Sequence, residues 1–294
     1  MLITLTIILI LSLLLIVSLI ILLLPVSILP LRSLYILSDF VFYPLLYHVI
    51  HYRRKVVRCN LERCFPLKST AQIDCLEKEV YHHLADVIIE TFHAIRMSPA
   101  QIQEHINYEN YELLDDYIAQ YGTVIVVLGH YTNWEWGTSF ALHFRGTPTR
   151  FVALYRQLRN PFFNKLFLRI RSHFGGDYIE KNELVRYMIE HREQPKLICL
   201  IADQHASPRS ARVPVTFMGI KTTFLAGAEM LSKKYGYPII YADFYCVSRG
   251  HYSVRFIPIH SKHPTAEYAS LLEQSIVRQP EQWLWTHNRF KYDE

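Results

Sequence analysis

Thr123-Val124-Ile125-Val126-Val127-Leu128-Gly129-His130-Tyr131-Thr132-Asn133-Trp134-Glu135 is the stretch that decides the fold. Its first six residues are β-branched or aliphatic, with no polar alternation after the threonine. Such a run reads as a strand buried on both faces, as in a parallel sheet. Four further segments read as strands: 150–155, 196–202, 238–245 and 251–257. The last two are joined by Val247-Ser248-Arg249-Gly250, a hairpin turn. Helical patterns over about 133–144, 161–173, 182–191 and 225–235 separate the others. Strands alternating with helices predict an α/β fold with a mixed, largely parallel sheet flanked by helices.

Upstream, residues 59–116 carry a helical pattern, with a helix start at Ser69 and one buried face formed by Ala85, Ile88, Ile89 and Phe92. Residues 33–50 are rich in Leu, Tyr, Phe and Val with the single charge Asp39, and read as an apolar helix in the core or at a membrane surface. The run 2–24 holds only Thr4, Thr6, Ser12 and Ser18 as polar residues and no charge. It is long enough to span a bilayer, and it lacks the basic start and small-residue cleavage site of a signal peptide. Arg32 and the cluster Arg53, Arg54, Lys55 and Arg58 follow it, which places the rest of the chain on the cytoplasmic side. The expected organisation is a membrane anchor over 1–30, a helical membrane-proximal segment over 31–116 and an α/β domain over 117–294. The basic cluster suits either a solvated helix face or lipid phosphates.

The net charge of +5 over 294 residues is too modest to imply nucleic-acid binding. The five cysteines form no CxxC pair, and the adjacent His82 and His83 point to different faces of a helix, so no metal site is expected. Gly-x-Ser-x-Gly is absent, against a serine hydrolase of the usual kind. Trp283, Trp285, His287, Arg289 and Lys291 crowd the C-terminal end; their aromatics are expected to pack on the domain with the cations on its surface.

His130 falls at the carboxyl end of the first strand, where α/β sheets collect ligands. A histidine there is suited to general-base work near neutral pH, and a carboxylate can hold its tautomer. Of the 15 histidines only His130 has an acid five positions on, Glu135. Regular α-helical geometry would not put those positions on one face, so the turn between them must be irregular. By spacing alone, a capped helix with a buried histidine stays open as the alternative. Arg156 follows a second strand and suits a phosphate or carboxylate clamp, or a surface ion pair. Arg169 and Arg171 face different ways on one helix, and Arg171 is the one expected to turn inward.

The segment Gly-His-Tyr-Thr-Asn-Trp-Glu-Trp at 129–136 resembles the HX4D/E motif of the glycerolipid acyltransferase superfamily. Nearly end to end, the chain resembles its lipid A biosynthesis (late) acyltransferases. The resemblance takes in the apolar start, 52–57, Asn60-Leu61 with Phe65-Pro66, Tyr155-Arg156, Asp203-Gln204, Phe217-Met218-Gly219 and the closing 283–291. Two positions depart from the family pattern: Thr132 stands where glycine is usual, and Arg289-Phe290 replaces an Arg-Trp pair.

The resemblance implies an enzyme that needs no cofactor and moves a fatty acyl group from acyl carrier protein, with acyl-CoA as the other donor, to a hydroxyl of lipid A or its precursor. His130 would be the base, Glu135 its orienting partner, and Arg156, Arg171, Asp203 and Gln204 substrate-binding. Asp203 also suits a turn or helix cap. Residues 213–217 with Thr222, Thr223 and Phe224 would line an acyl channel, or serve as ordinary core. The partners implied are the carrier protein, a lipid acceptor and the bacterial inner membrane. Acylation of a lysophospholipid or aminolipid, and hydrolysis of a lipid or thioester, are the alternatives.

Overall fold

The computed structural model describes residues 29–206 and 210–291. The expected anchor over 1–30 falls almost wholly outside them. Among the described residues no single helix is long and apolar enough to cross a membrane; Leu31–Val49 and Arg54–Cys64 reach that length and composition together but are bent by 86°.

Helix α1 (Leu31–Leu37) runs into two π-helical stretches, Ser38–Phe42 and Leu45–Val49. Helices α2 (Arg54–Cys64), α3 (Thr70–His93) and α4 (Pro99–His105) follow. Ser69 starts α3 through a reciprocal cap: its hydroxyl accepts from the Gln72 amide, and the Gln72 side chain accepts from the Ser69 amide. Ile73, Leu76, Val80 and Tyr81 of α3 enter the main core. One turn further, Ala85 and Ile89 close on Leu34 and Phe42. Ile36, Phe40, Val49 and Ile50 remain exposed on the other side of that first segment.

The sheet region contains β1 (Ile106–Glu109), α5 (Glu112–Tyr121), β2 (Thr123–Leu128), β3 (Arg150–Tyr155), α6 (Pro161–Arg171), β4 (Asp177–Glu180), α7 (Leu184–Glu190) and β5 (Lys196–Ile201). The hairpin β6 (Arg212–Phe217) and β7 (Ile220–Leu225), α8 (Gly227–Tyr235), β8 (Ile239–Ser248), β9 (His251–Ile259) and α9 (Pro264–Arg278) complete it. Seven strands lie in the order β1-β9-β8-β2-β5-β3-β4, and β6 with β7 forms a separate pair. Every pairing in the large sheet is parallel except β8 with β9. The mixed, largely parallel sheet and its late hairpin therefore match expectation. Strands β1 and β4 are four residues long, too short to show a period, and β1 interrupts a segment expected to be helical. The stretch 136–144 is 3-10 rather than α-helix.

Packing bears on three of the sequence readings. In the basic cluster Arg54 Nε lies 2.5 Å from Glu77, Arg58 pairs with Glu77 and Asp74, and Arg53 donates to the Thr286 carbonyl, while Arg53 and Lys55 stay exposed. Of the β6–β7 residues read as channel or core, Phe217 and Phe224 are fully buried, edge to face, and buried Thr222 accepts from Arg289, while 213–216 are half-buried or exposed. Arg289 is buried rather than on the surface, its guanidinium 4.4 Å from the Phe224 ring centre.

Candidate active site

Leu128 at the end of β2 is paired in register with Ile201 at the end of β5. Two residues beyond each lie His130 and Asp203, so parallel pairing delivers both side chains to the same edge. His130 Nδ1 is 2.6 Å from Asp203 Oδ1. Asp203 Oδ2 accepts from the His130 amide at 2.9 Å and from the Trp283 indole at 2.8 Å. Gly129 allows this approach: a Cβ there would stand 2.7 Å from Leu272 and 3.5 Å from Asp203 Oδ2.

Asp203 is almost wholly buried. Burial by itself would raise its pKa, but attraction to the His130 ring and the bonds from His130 and Trp283 outweigh it and hold the carboxyl at about 2. An ionised carboxylate only accepts, so the proton sits on Nδ1, and in the neutral ring that tautomer leaves the lone pair on Nε2. The His130 side chain retains 18% exposure. The Gln204 amide nitrogen stands 3.4 Å from Nε2, and Trp134 packs edge-on against the ring. Beyond Gln204, His205 Nδ1 and His287 Nε2 are 3.2 Å apart.

The expected pairing of His130 with Glu135 is not the one the fold makes. Both Glu135 oxygens lie on Arg171, at 2.5 Å from Nη2 and 2.8 Å from Nε. This forked contact between a buried carboxylate and the last turn of α6 ties that helix to the turn after β2. Asp203, expected to touch substrate, is instead the partner of His130. Arg171 does turn inward, but onto Glu135. Gln204 is beside His130 Nε2, and Arg156 is exposed just past β3.

The turn itself is irregular, as the spacing demanded. Thr132 has φ +52°, and Asn133 Oδ1 accepts from the Trp136 amide to start the 3-10 turns. A strap from the C-terminal end holds it: Thr132 donates to the Gln282 carbonyl, Leu284 donates to the His130 carbonyl, and Tyr131 bridges Trp283. Trp283 was legible only as a packing aromatic. Its role in holding Asp203 depends on a contact across 80 residues. Among the described residues no cluster of histidine, cysteine and acids could hold a metal ion.

The sequence profile described as bacterial lipid A biosynthesis acyltransferase matches residues 3–292. The chain belongs to that family. It is an acyltransferase. It is 24% identical over 248 residues to the lipid A biosynthesis palmitoleoyltransferase of Escherichia coli K12, covering 81% of this chain and 79% of that one. The E. coli lipid A biosynthesis lauroyltransferase is 23% identical over the same shares. The myristoyltransferase is 21% identical over 60% of this chain and 54% of its own. Family membership and geometry meet at His130, which sits both in the expected motif and in the one described imidazole–carboxylate pair that closes two parallel strands.

Proposed function

We propose that this acyltransferase moves a fatty acyl group from a carrier thioester to a hydroxyl of lipid A or its precursor, with His130 as base. The contact that carries the proposal is His130 Nδ1 on buried Asp203 Oδ1 at 2.6 Å. His130 Nε2 takes the acceptor hydroxyl's proton as its oxygen attacks the thioester carbonyl carbon. The tetrahedral intermediate collapses, the carbon–sulfur bond breaks, and the imidazolium returns the proton to the departing thiolate. Asp203 holds the tautomer and stabilises the imidazolium. Gln204 offers a donor beside the reacting atoms. Glu135 holds Arg171, which we assign to binding substrate. Acyl carrier protein is the donor we favour, and the site is expected to meet its lipid at the cytoplasmic face of the inner membrane.

Purified enzyme given defined acyl carrier thioesters and a lipid A precursor should yield a product heavier by one acyl chain in mass spectrometry, and His130→Ala should abolish it. Release of free fatty acid without an acceptor, or acylation of lysophospholipid alone, would sink the proposal.

A further inference from the structure

Glu90 lies fully buried on α3, away from His130, and the proposed chemistry leaves it unused. Its carboxylate gathers three donors from three parts of the chain. Tyr35 of α1 donates to Oε1 at 2.6 Å. Tyr252 of β9 donates to Oε2 at 2.8 Å. Asn133, from the turn between His130 and Glu135, donates to Oε2 at 2.7 Å. The Glu90 carbonyl also accepts from the Trp136 indole at 3.0 Å. One turn earlier Asp86 accepts from Ser38 and from Arg249, which also grips Asp39. The first helical segment is thus latched to α3 at positions 35, 38 and 39, and α3 is latched to the turn.

We propose that Glu90 is a positioning residue that transmits the seating of α1 to the turn carrying His130 and Glu135. An ionised carboxylate can accept all three bonds, whereas a protonated one must donate to a tyrosine oxygen, which then gives up its own bond to the carboxylate. The groups facing it are Tyr35 on α1, Asp86 on its own helix, Tyr252 on β9, Cys246 on β8 and Asn133 in the turn. Burial pushes the Glu90 carboxyl up to about 7, with Asp86 adding to the rise and the bonds from Tyr35, Tyr252 and Asn133 opposing it. Loss of the Tyr35 bond therefore favours protonation and weakens the hold on Asn133. Asn133 in turn starts the 3-10 turns that aim Glu135 at Arg171. The exposed side of α1 and its continuation carries Ile36, Phe40, Val49 and Ile50, so whatever seats that face is felt at the turn.

The kinetic arm of the test rests on the acyl transfer proposed above; the exchange arm does not. Glu90→Gln keeps the shape and misplaces a donor. It should lower kcat by on the order of ten- to a hundredfold with KM little changed, as expected for a misaimed site. Tyr35→Phe should lower kcat by about two- to tenfold, the worth of one hydrogen bond. The double variant should be no slower than Glu90→Gln alone, because the pathway is already cut. Hydrogen exchange of the amides at 130–136 should quicken in both single variants. Unchanged exchange there, unchanged kcat in both, or multiplying losses in the double variant would overturn the inference. Should Glu90→Gln fail to fold, exchange in Tyr35→Phe decides alone. Should wild type and His130→Ala transfer no acyl group, the reaction fails and exchange still judges the coupling.

Discussion

Asp203 binds both ends of His130: Oδ1 meets the ring at Nδ1, and Oδ2 accepts the backbone amide of the same residue. One carboxylate thus fixes the tautomer, the ring direction and the start of the turn. Asp203→Asn keeps the volume but can present its amide N–H to Nδ1 and drive the ring to the wrong tautomer. The expected outcome is a loss of about 10²- to 10⁴-fold in kcat, with a folded protein by circular dichroism. A variant within threefold of wild type would assign the orienting role elsewhere.

The pH dependence follows from the same pair. The folded-state pKa of Asp203 is depressed to about 2, so its stabilising contribution is fully present above the ordinary carboxylate range and is lost as pH falls through about 2. From neutrality down to pH 4 this group does not change charge. An acidic limb of kcat/KM in that range should therefore arise from a group other than Asp203, and Glu135→Gln should leave its midpoint in place. A limb that moves with Glu135→Gln would contradict the pairing.

Glu135 and Arg171 should behave as a structural couple. Truncating either to alanine leaves a poorly solvated charge behind, and about 1–3 kcal/mol of stability should be lost, discounted for the partial exposure of Arg171. The double alanine variant should lose less than the sum in chemical denaturation. Additive losses would mean that the two groups do not act together.

Thr132 adopts a left-handed backbone at φ +52°, and its buried hydroxyl has no hydrogen-bond partner among the described residues. Thr132→Gly removes both the strain and the unsatisfied oxygen, against a larger loss of chain entropy on folding. The net expectation is a stabilisation of up to about 1 kcal/mol, with Tm higher by about 2–4 °C. A lower Tm would show that packing by the threonine methyl outweighs the strain.

His83 supplies an acid-sensitive element beneath the turn. Burial pushes its pKa down to about 4, against the backbone of Thr132 and Gln282 facing the ring. Between about pH 6.5 and 4 the unfolded chain binds a proton that the folded chain refuses, so stability falls on acidification through that window. The loss should be about 1–3 kcal/mol, and His83→Leu should flatten the slope of Tm against pH. An unchanged slope would place the acid sensitivity at another group.

The sequence by itself determined the layered α/β fold, because uninterrupted apolar runs such as 123–128 are stable only when covered on both faces, and 123–128 became the centre of the sheet. It also determined that His130 stands at a carboxyl edge and that the turn after it departs from α-helix. Local rules reach no further. Which carboxylate meets the imidazole was decided by the register of β2 against β5, which brings Asp203 across 73 residues while Glu135, five residues away, is carried to α6. The Trp283 strap and the Glu90 latch were settled in the same way, by contacts between distant elements. Spacing along a chain measures contour and not direction, so a strained residue at Thr132 is enough to send Glu135 elsewhere, and only the packed tertiary structure could show where.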